Sequence, residues 1–311
     1  MSTDSWLQKY VAIVKSTFEF SRFVRSSKVE IAETETRIAT QSQSIQKEID
    51  VFDAILGEIP PSALKKRSRP RYMMLTEEER EEAETVLNRP GGPDIVACRN
   101  NIEISADKIQ CLQDKEWLND EVINYYMDLL NDLNSRIGGS RLVPNTYLWN
   151  SFFWLKLSDD GKGYNYKSVQ RWTSRKKIDI FSFDRMIVPM NVGRNHWALG
   201  FVDMKNKVVR YYDSLAAGTV HTRFSEFILK YLEDEFKDKK KGEECPQFTT
   251  EFSTEPAEDI PQQRNGYDCG VFMCSFAECL ANGRDWVDFD QSFIPDMRRK
   301  IISQILSNKI G

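Results

Sequence analysis

The stretch PQQRNGYDCGVF, residues 261 to 272, sets Cys269 between an aspartate and a glycine where a loop gives way to an apolar, helix-like run. A thiol at a helix N-terminus feels the positive end of the macrodipole, which favours the nucleophilic thiolate. Such a nucleophile needs a base, and the chain has only two histidines. His196 heads the segment HWALGFVDMKNKVVRYYDS, and Asp213 closes it. That segment reads as a hairpin turning at Lys205-Asn206. With that turn Asp213 falls opposite Ala198, two positions diagonal to His196 and on the same face, about 7 to 8 Å away at the backbone. A carboxylate beside an imidazole fixes its tautomer and stabilises the imidazolium. Ser214 and the cysteines are the candidate nucleophiles. Cys269 has the best seat, whereas Cys274 and Cys279, further along the helix, read as core residues.

Acyl transfer also needs donors for the oxyanion. The backbone N–H of Cys269 supplies one, and the side-chain amide of Gln262 or Gln263 supplies another; loss of such a donor costs about 10²- to 10³-fold in rate. Gly266 and Gly270 predict a sharply turned main chain that a substrate can approach closely. Taken in order, the pattern is His, an Asp seventeen residues on, then Gln and Cys six residues apart. That is the reverse of the Cys-first arrangement of papain.

The elements that must hold these groups are also legible. LTEEEREEAETVL reads as a helix capped by Thr76, with acidic residues in its first turn and Pro-Gly-Gly beyond it. NDEVINYYMDLLNDL reads as an amphipathic helix capped by Asn119, with Val122, Tyr126, Leu129 and Leu133 on one face. RMIVPMNV and the hairpin read as strands, and VFMCSFAECLANG as a helix closed by a left-handed cap at Asn282-Gly283. Helices at both ends with strands between them predict an α+β domain.

Composition narrows the functional classes. The 311 residues are 41% apolar and 29% charged, which suits a packed and soluble protein. No run of about 18 apolar residues exists, so membrane insertion is not expected. The N-terminus lacks the pattern of a secretory signal, which puts the six cysteines in a reducing compartment. Their spacing supports neither zinc nor a disulfide framework, and neither metal nor cofactor is expected. A net charge of −4 argues against nucleic acid as a partner. The basic run KKRSRPR at 65 to 71 reads either as a nuclear import signal or as a solvated linker.

Residues 1 to 58 read as a helical or partly disordered appendage. Ile31, Ile38, Ile45 and Phe52 recur every seven residues, but Glu35 and Ser42 interrupt the seam. Such a helix could dock a partner. Residues 59 to 71 form a proline-rich, basic linker, and residues 72 to 311 the catalytic domain.

The segments WLNDEVINYYMDLL, VQRWTSRKKIDIF, HWALGFVD, YYDSL and PQQRNGYDCGVFMC resemble, in order and content, the SUMO-specific (sentrin-specific) branch of the ubiquitin-like proteases, cysteine peptidases related to the adenovirus protease. The resemblance spans roughly residues 72 to 308. It implies a papain-like or adenain-like fold whose central, mostly antiparallel sheet is flanked by helices. It implies that His196, Asp213 and Cys269 form the triad and that Gln263, rather than Gln262, is the oxyanion amide. Trp117 and Trp197 would close over the modifier's Gly-Gly tail. Asp120, Phe152, Arg171 and Trp172 would contact its folded body, with Asp120 suited to an arginine. The implied activity removes SUMO from lysines and trims SUMO precursors. SUMO and its conjugates are the implied partners, and a nuclear or nuclear-envelope location, with the cytoplasm in addition, is the implied setting. Three alternatives are a protease for another ubiquitin-like modifier, a silent SUMO-binding scaffold, and acyl transfer to an acceptor other than water. The stretch NVGRNHW is one residue longer than the family's usual approach to the histidine.

Overall fold

A computed structural model describes residues 74–139, 143–215, 220–284 and 289–310, all within the unit Ser68–Gly311. The appendage read over residues 1 to 58 and the linker over 59 to 71 lie outside the described residues. The described chain opens with α1 (Glu77–Leu87), which starts as its sequence predicts. The Thr76 hydroxyl accepts from Glu79 N at 3.2 Å, and the Glu79 carboxylate accepts from Thr76 N at 2.8 Å. Two of the helix's unpaired N–H groups are thereby satisfied. A two-stranded antiparallel ribbon follows, β1 (Ile95–Arg99) and β2 (Ile102–Ser105).

Helix α2 (Asp120–Ile137) begins at Asn119, whose side-chain oxygen accepts from Val122 N at 2.9 Å and whose amide donates to Lys108 O at 2.8 Å. Then come β3 (Thr146–Leu148), α3 (Phe152–Leu157) and α4 (Trp172–Lys176). The strands β4 (Arg185–Val192), β5 (His196–Asp203) and β6 (Val208–Tyr212) run antiparallel, followed by α5 (Val220–Lys239), α6 (Phe248–Glu251) and β7 (Ser253–Pro256). The edge strands β3 and β7 join β4 and β6 in parallel, giving one five-stranded sheet in the order β3-β4-β5-β6-β7. Helices α7 (Cys269–Ala281) and α8 (Ile294–Leu306) complete the described elements.

The sheet is covered on both faces, so its central strands read as nearly continuous apolar runs rather than alternating ones. Trp197, Leu199 and Phe201 of β5 join α2, α7 and α8 in one core. Ala198 and Val202 point the other way, with Met186, Val188 and Met190 of β4, toward α5 and the stacked pair Trp149 and Phe153, whose centroids are 4.0 Å apart. Asparagines of α2 fasten the edge. Asn131 exchanges two hydrogen bonds with the Leu148 backbone, at 2.8 and 2.9 Å, as a neighbouring strand would. Asn124 accepts from Ser151 N at 2.7 Å and so fixes the start of α3 at Phe152. Gly283, at φ +77°, supplies the left-handed residue that ends α7.

Candidate active site

The β5–β6 hairpin has the register that its turn predicts: Asp203 faces Val208 and Leu199 faces Tyr212, which carries Asp213 to the height of Ala198. From there Asp213 Oδ1 accepts a hydrogen bond from His196 Nε2 at 2.8 Å. Asp213 is itself held, since Leu215 N donates to Oδ1 at 2.9 Å and the Tyr211 hydroxyl to Oδ2 at 3.4 Å. With Nε2 carrying the proton shared with Asp213, the neutral ring offers Nδ1 as the acceptor. Nδ1 is buried and makes no hydrogen bond to an oxygen or nitrogen; Cys269 is the thiol that interacts with the ring. Burial opposes a charge on His196, but the hydrogen bond to Asp213 and the neighbouring Asp213 and Cys269 groups outweigh it, and the imidazole pKa is pushed up to about 9.

Cys269 is the first residue of α7 and is 3% exposed. Gly270 is required beside it, for packing rather than for backbone conformation. A β-carbon there would stand 2.8 Å from Cβ of Leu118. Neither Gly270 nor Gly266 adopts a left-handed φ, and Gly266 faces open space, so the expectation of a glycine-driven sharp turn does not hold. The turn is set instead by Asn265, whose side-chain oxygen accepts from Tyr267 N and Asp268 N, both at 3.1 Å.

The two glutamines have different surroundings. Gln262 donates to the backbone carbonyl of Asp213 at 3.3 Å. Gln263 is buried, with its side-chain oxygen accepting from the Ser214 hydroxyl at 2.6 Å and its nitrogen donating to Asn265 O at 2.6 Å. One N–H of that amide therefore stays available to a ligand. A thiol, an imidazole–carboxylate pair and a spare amide donor can together carry out nucleophilic acyl transfer.

Asp268, next to the thiol in sequence, belongs to a different network. Its carboxylate accepts from Arg298 Nη2 at 2.6 Å, Gln291 at 2.6 Å and Asn265 at 2.7 Å. Arg298, 1% exposed, also donates to the carbonyls of Gln113 and Glu116 at 2.9 and 2.8 Å. The segment that leads into Trp117 and the loop that leads into Cys269 thus share one buried guanidinium. The sequence reading missed Arg298, although a signal was present: it occupies an i, i+4, i+8 position between Ile294 and Ile302 on the apolar stripe of α8. Leu118 was missed as well. It packs on Gly270, and its carbonyl accepts from the Trp197 indole at 3.0 Å.

Trp197 is buried and fixed by that bond, whereas Trp117 is 52% exposed. Asp120, Phe152 and Trp197 line one cavity of about 350 Å³, with Leu118, Asn191 and Arg194. Burial and the adjacent Glu121 carboxylate hold the Asp120 carboxyl above its usual range. Arg171 and Trp172 are not among that cavity's walls. Arg171 is an exposed residue at the start of α4, and Trp172 leans inward on Phe153 and Trp149 at 6.0 and 6.3 Å. The long NVGRNHW stretch forms the β4–β5 turn, with Gly193 and Arg194 both left-handed and Arg194 paired with Asp160.

A thiol at a helix start, served by a histidine from a neighbouring hairpin, defines a cysteine-peptidase type of site on an α+β fold. Residues 116–309 match the Ulp1 protease family, C-terminal catalytic domain, and the chain belongs to that family. It is 30% identical over 98% of its length to the putative ubiquitin-like-specific protease 1B of Arabidopsis thaliana, covering 92% of that protein. It is 34% identical over 76% of its length to human sentrin-specific protease 2, of which it spans 38%. Among solved structures, the C-terminal Ulp1 protease domain in complex with Smt3, the yeast ortholog of SUMO, superposes with a TM-score of 0.62 at 31% identity, covering 77% of this chain and 99% of that one. The Chaetomium thermophilum Ulp1-like SUMO protease catalytic domain also gives 0.62, at 25% identity, over 78% of this chain and 94% of that one.

Proposed function

We propose that this chain cleaves after the C-terminal Gly-Gly of SUMO, releasing SUMO from lysine side chains and from precursors. The observation that carries the reading is the buried Cys269 at the N-terminus of α7, sharing one imidazole with the carboxylate of Asp213. The thiol proton passes to His196 Nδ1, where the raised imidazole pKa holds it beside the thiolate, and the thiolate attacks the terminal glycine carbonyl carbon. The carbonyl π electrons move onto oxygen, where the spare N–H of Gln263 and the Cys269 N–H receive them. Nδ1–H then protonates the leaving lysine nitrogen as the C–N bond breaks, leaving a thioester. Water, giving its proton to His196, attacks the thioester; the acid is released and the thiol restored.

Trp117 and Trp197 form the slot that admits only residues without side chains and keeps water from the reacting carbonyl. Asp120 and Phe152 receive the folded body of the modifier. The raised carboxyl pKa of Asp120 marks a site that an arginine of the partner would relieve. The exposed Arg171 extends that surface at the start of α4, with the half-buried Trp172 supporting it from the Trp149–Phe153 stack. Residues 72 to 311 act as the catalytic domain, with residues 1 to 71 as an appendage and linker that direct a nuclear or nuclear-envelope location. No helix among the described residues is long and apolar enough to cross a membrane.

The test is hydrolysis of a panel of modifier C-terminal amides by the parent chain and by Cys269→Ser. The parent is expected to prefer SUMO, and the serine variant to lose at least about 10³-fold in kcat, the scale on which a nucleophile matters. A variant that hydrolyses the SUMO amide at the parental rate, or a parent that prefers another modifier, would overturn the reading.

A further inference from the structure

Ser214 follows Asp213 in the chain and is 1% exposed, yet neither its hydroxyl nor its backbone takes part in the steps above. Both point at Gln263. The hydroxyl donates to the amide oxygen at 2.6 Å, and the Ser214 carbonyl accepts from Gln263 N at 2.9 Å. A side-chain amide has two orientations of nearly equal shape, which only its hydrogen-bond partners distinguish. At Gln263 an acceptor-only carbonyl sets the orientation, and a hydroxyl tethers the other end. The carbonyl of Asn265 demands a nitrogen, and the Ser214 hydroxyl gives the oxygen a donor. In the reverse orientation two oxygens would face each other at Asn265, and the amide nitrogen would move to the Ser214 side.

We propose that Ser214 is a positioning residue for the oxyanion donor: its hydroxyl holds the tilt of the Gln263 amide, whose orientation Asn265 sets, so that the second N–H meets the charge developing on the substrate carbonyl. The proposal rests on the reading of Gln263 given above. One dipeptide, Asp213-Ser214, then serves both halves of the reaction, its first residue orienting the base and its second holding the oxyanion donor. The Gln262 amide, donating to the Asp213 carbonyl at 3.3 Å, adds a further tie between the same two segments.

Such a role falls on kcat, because an oxyanion contact exists only in the transition state. Ser214→Ala is expected to lower kcat on a SUMO C-terminal amide by about 10- to 100-fold, below the full loss of a donor, with KM within about twofold. Alkylation of Cys269 by iodoacetamide, a displacement that develops no oxyanion, is expected to stay within about twofold of the parent, read at the Cys269 peptide by mass. Ser214→Thr, which restores a hydroxyl, is expected to recover most of kcat. The double variant Ser214→Ala/Gln263→Ala is expected to match Gln263→Ala alone, since a residue acting only through Gln263 adds nothing once Gln263 is gone.

Additive losses in the double variant would overturn the proposal. So would a threonine variant as slow as the alanine one, or alkylation that falls in step with kcat, which would move the effect of Ser214 onto Asp213 and His196. A parent active on the SUMO amide beside an equally active Ser214→Ala sinks this inference alone. A parent inactive on that amide sinks the functional reading and this inference with it.

Discussion

Asp213 and Asp268 are 6% and 4% exposed, the first linked to Cys269 through His196 and the second next to it in the chain, yet one serves an imidazole and the other a guanidinium. The aspartate adjacent to the thiol in sequence is the one turned away from it, into a network of Arg298, Gln291 and Asn265. Arginine does not give up its proton in a protein, so a carboxylate paired with it can only hold structure. The imidazole on Asp213 can cycle between its two states, so that carboxylate can take part in proton transfer. The difference lies in the partner's chemistry, not in burial or in distance along the chain.

The largest expected effect that separates the two is kinetic. Asp213→Asn should lower kcat/KM on a SUMO amide by about 10³- to 10⁴-fold by misdirecting the His196 tautomer, while the thermal midpoint stays within about 3 °C of the parent. A modest rate loss with a large drop in midpoint would show that Asp213 is structural after all. Asp268→Ala should do the reverse. It leaves Arg298 buried and unpaired, so urea unfolding should report a loss of about 3 to 5 kcal/mol. If its stability is parental, the network is not what holds the cysteine loop.

A third carboxyl sharpens the contrast. Glu278 of α7 is fully buried beside Tyr126 and Gln304, and burial, against those neighbours, pushes its pKa up to about 7. Because the folded pKa exceeds the unfolded value near 4.5, the fold binds the proton more tightly, and stability should fall as pH rises from about 4.5 through 7. Glu278→Gln should flatten that part of a stability-against-pH curve, a change of roughly 2 to 3 kcal/mol by chemical denaturation. A slope that persists in the variant would assign it elsewhere.

The smallest effect expected is on the His196 pair. Its folded pKa, near 9, lies above the unfolded 6.5, so its contribution to stability is complete below about 6.5 and is lost as pH rises through about 9. In Asp213→Asn the loss should move to lower pH, observable as a shift in the imidazole titration by NMR.

Much of this was legible because it depends on local chemistry. The capping box at Thr76, the cap at Asn119 and the left-handed close at Gly283 are short-range patterns, and the structure forms them where their residues stand. The hairpin from His196 to Asp213 was readable too, since a turn position fixes register and period-two alternation fixes the face. What could not be read were contacts between distant segments. Gly270 is needed because Leu118, far upstream, packs against it, and no local rule distinguishes that from a glycine needed for its backbone. The choice between Gln262 and Gln263 needed family resemblance, and the structure gives the two amides different partners in Asp213 O, Ser214 and Asn265. The sequence alone thus determined the elements and the types of reacting group, which follow from propensity, capping and side-chain chemistry. Only the tertiary structure decided that Asp268 is claimed by Arg298 and which amide is held by serine, because those pairings depend on packing between segments that the chain itself keeps apart.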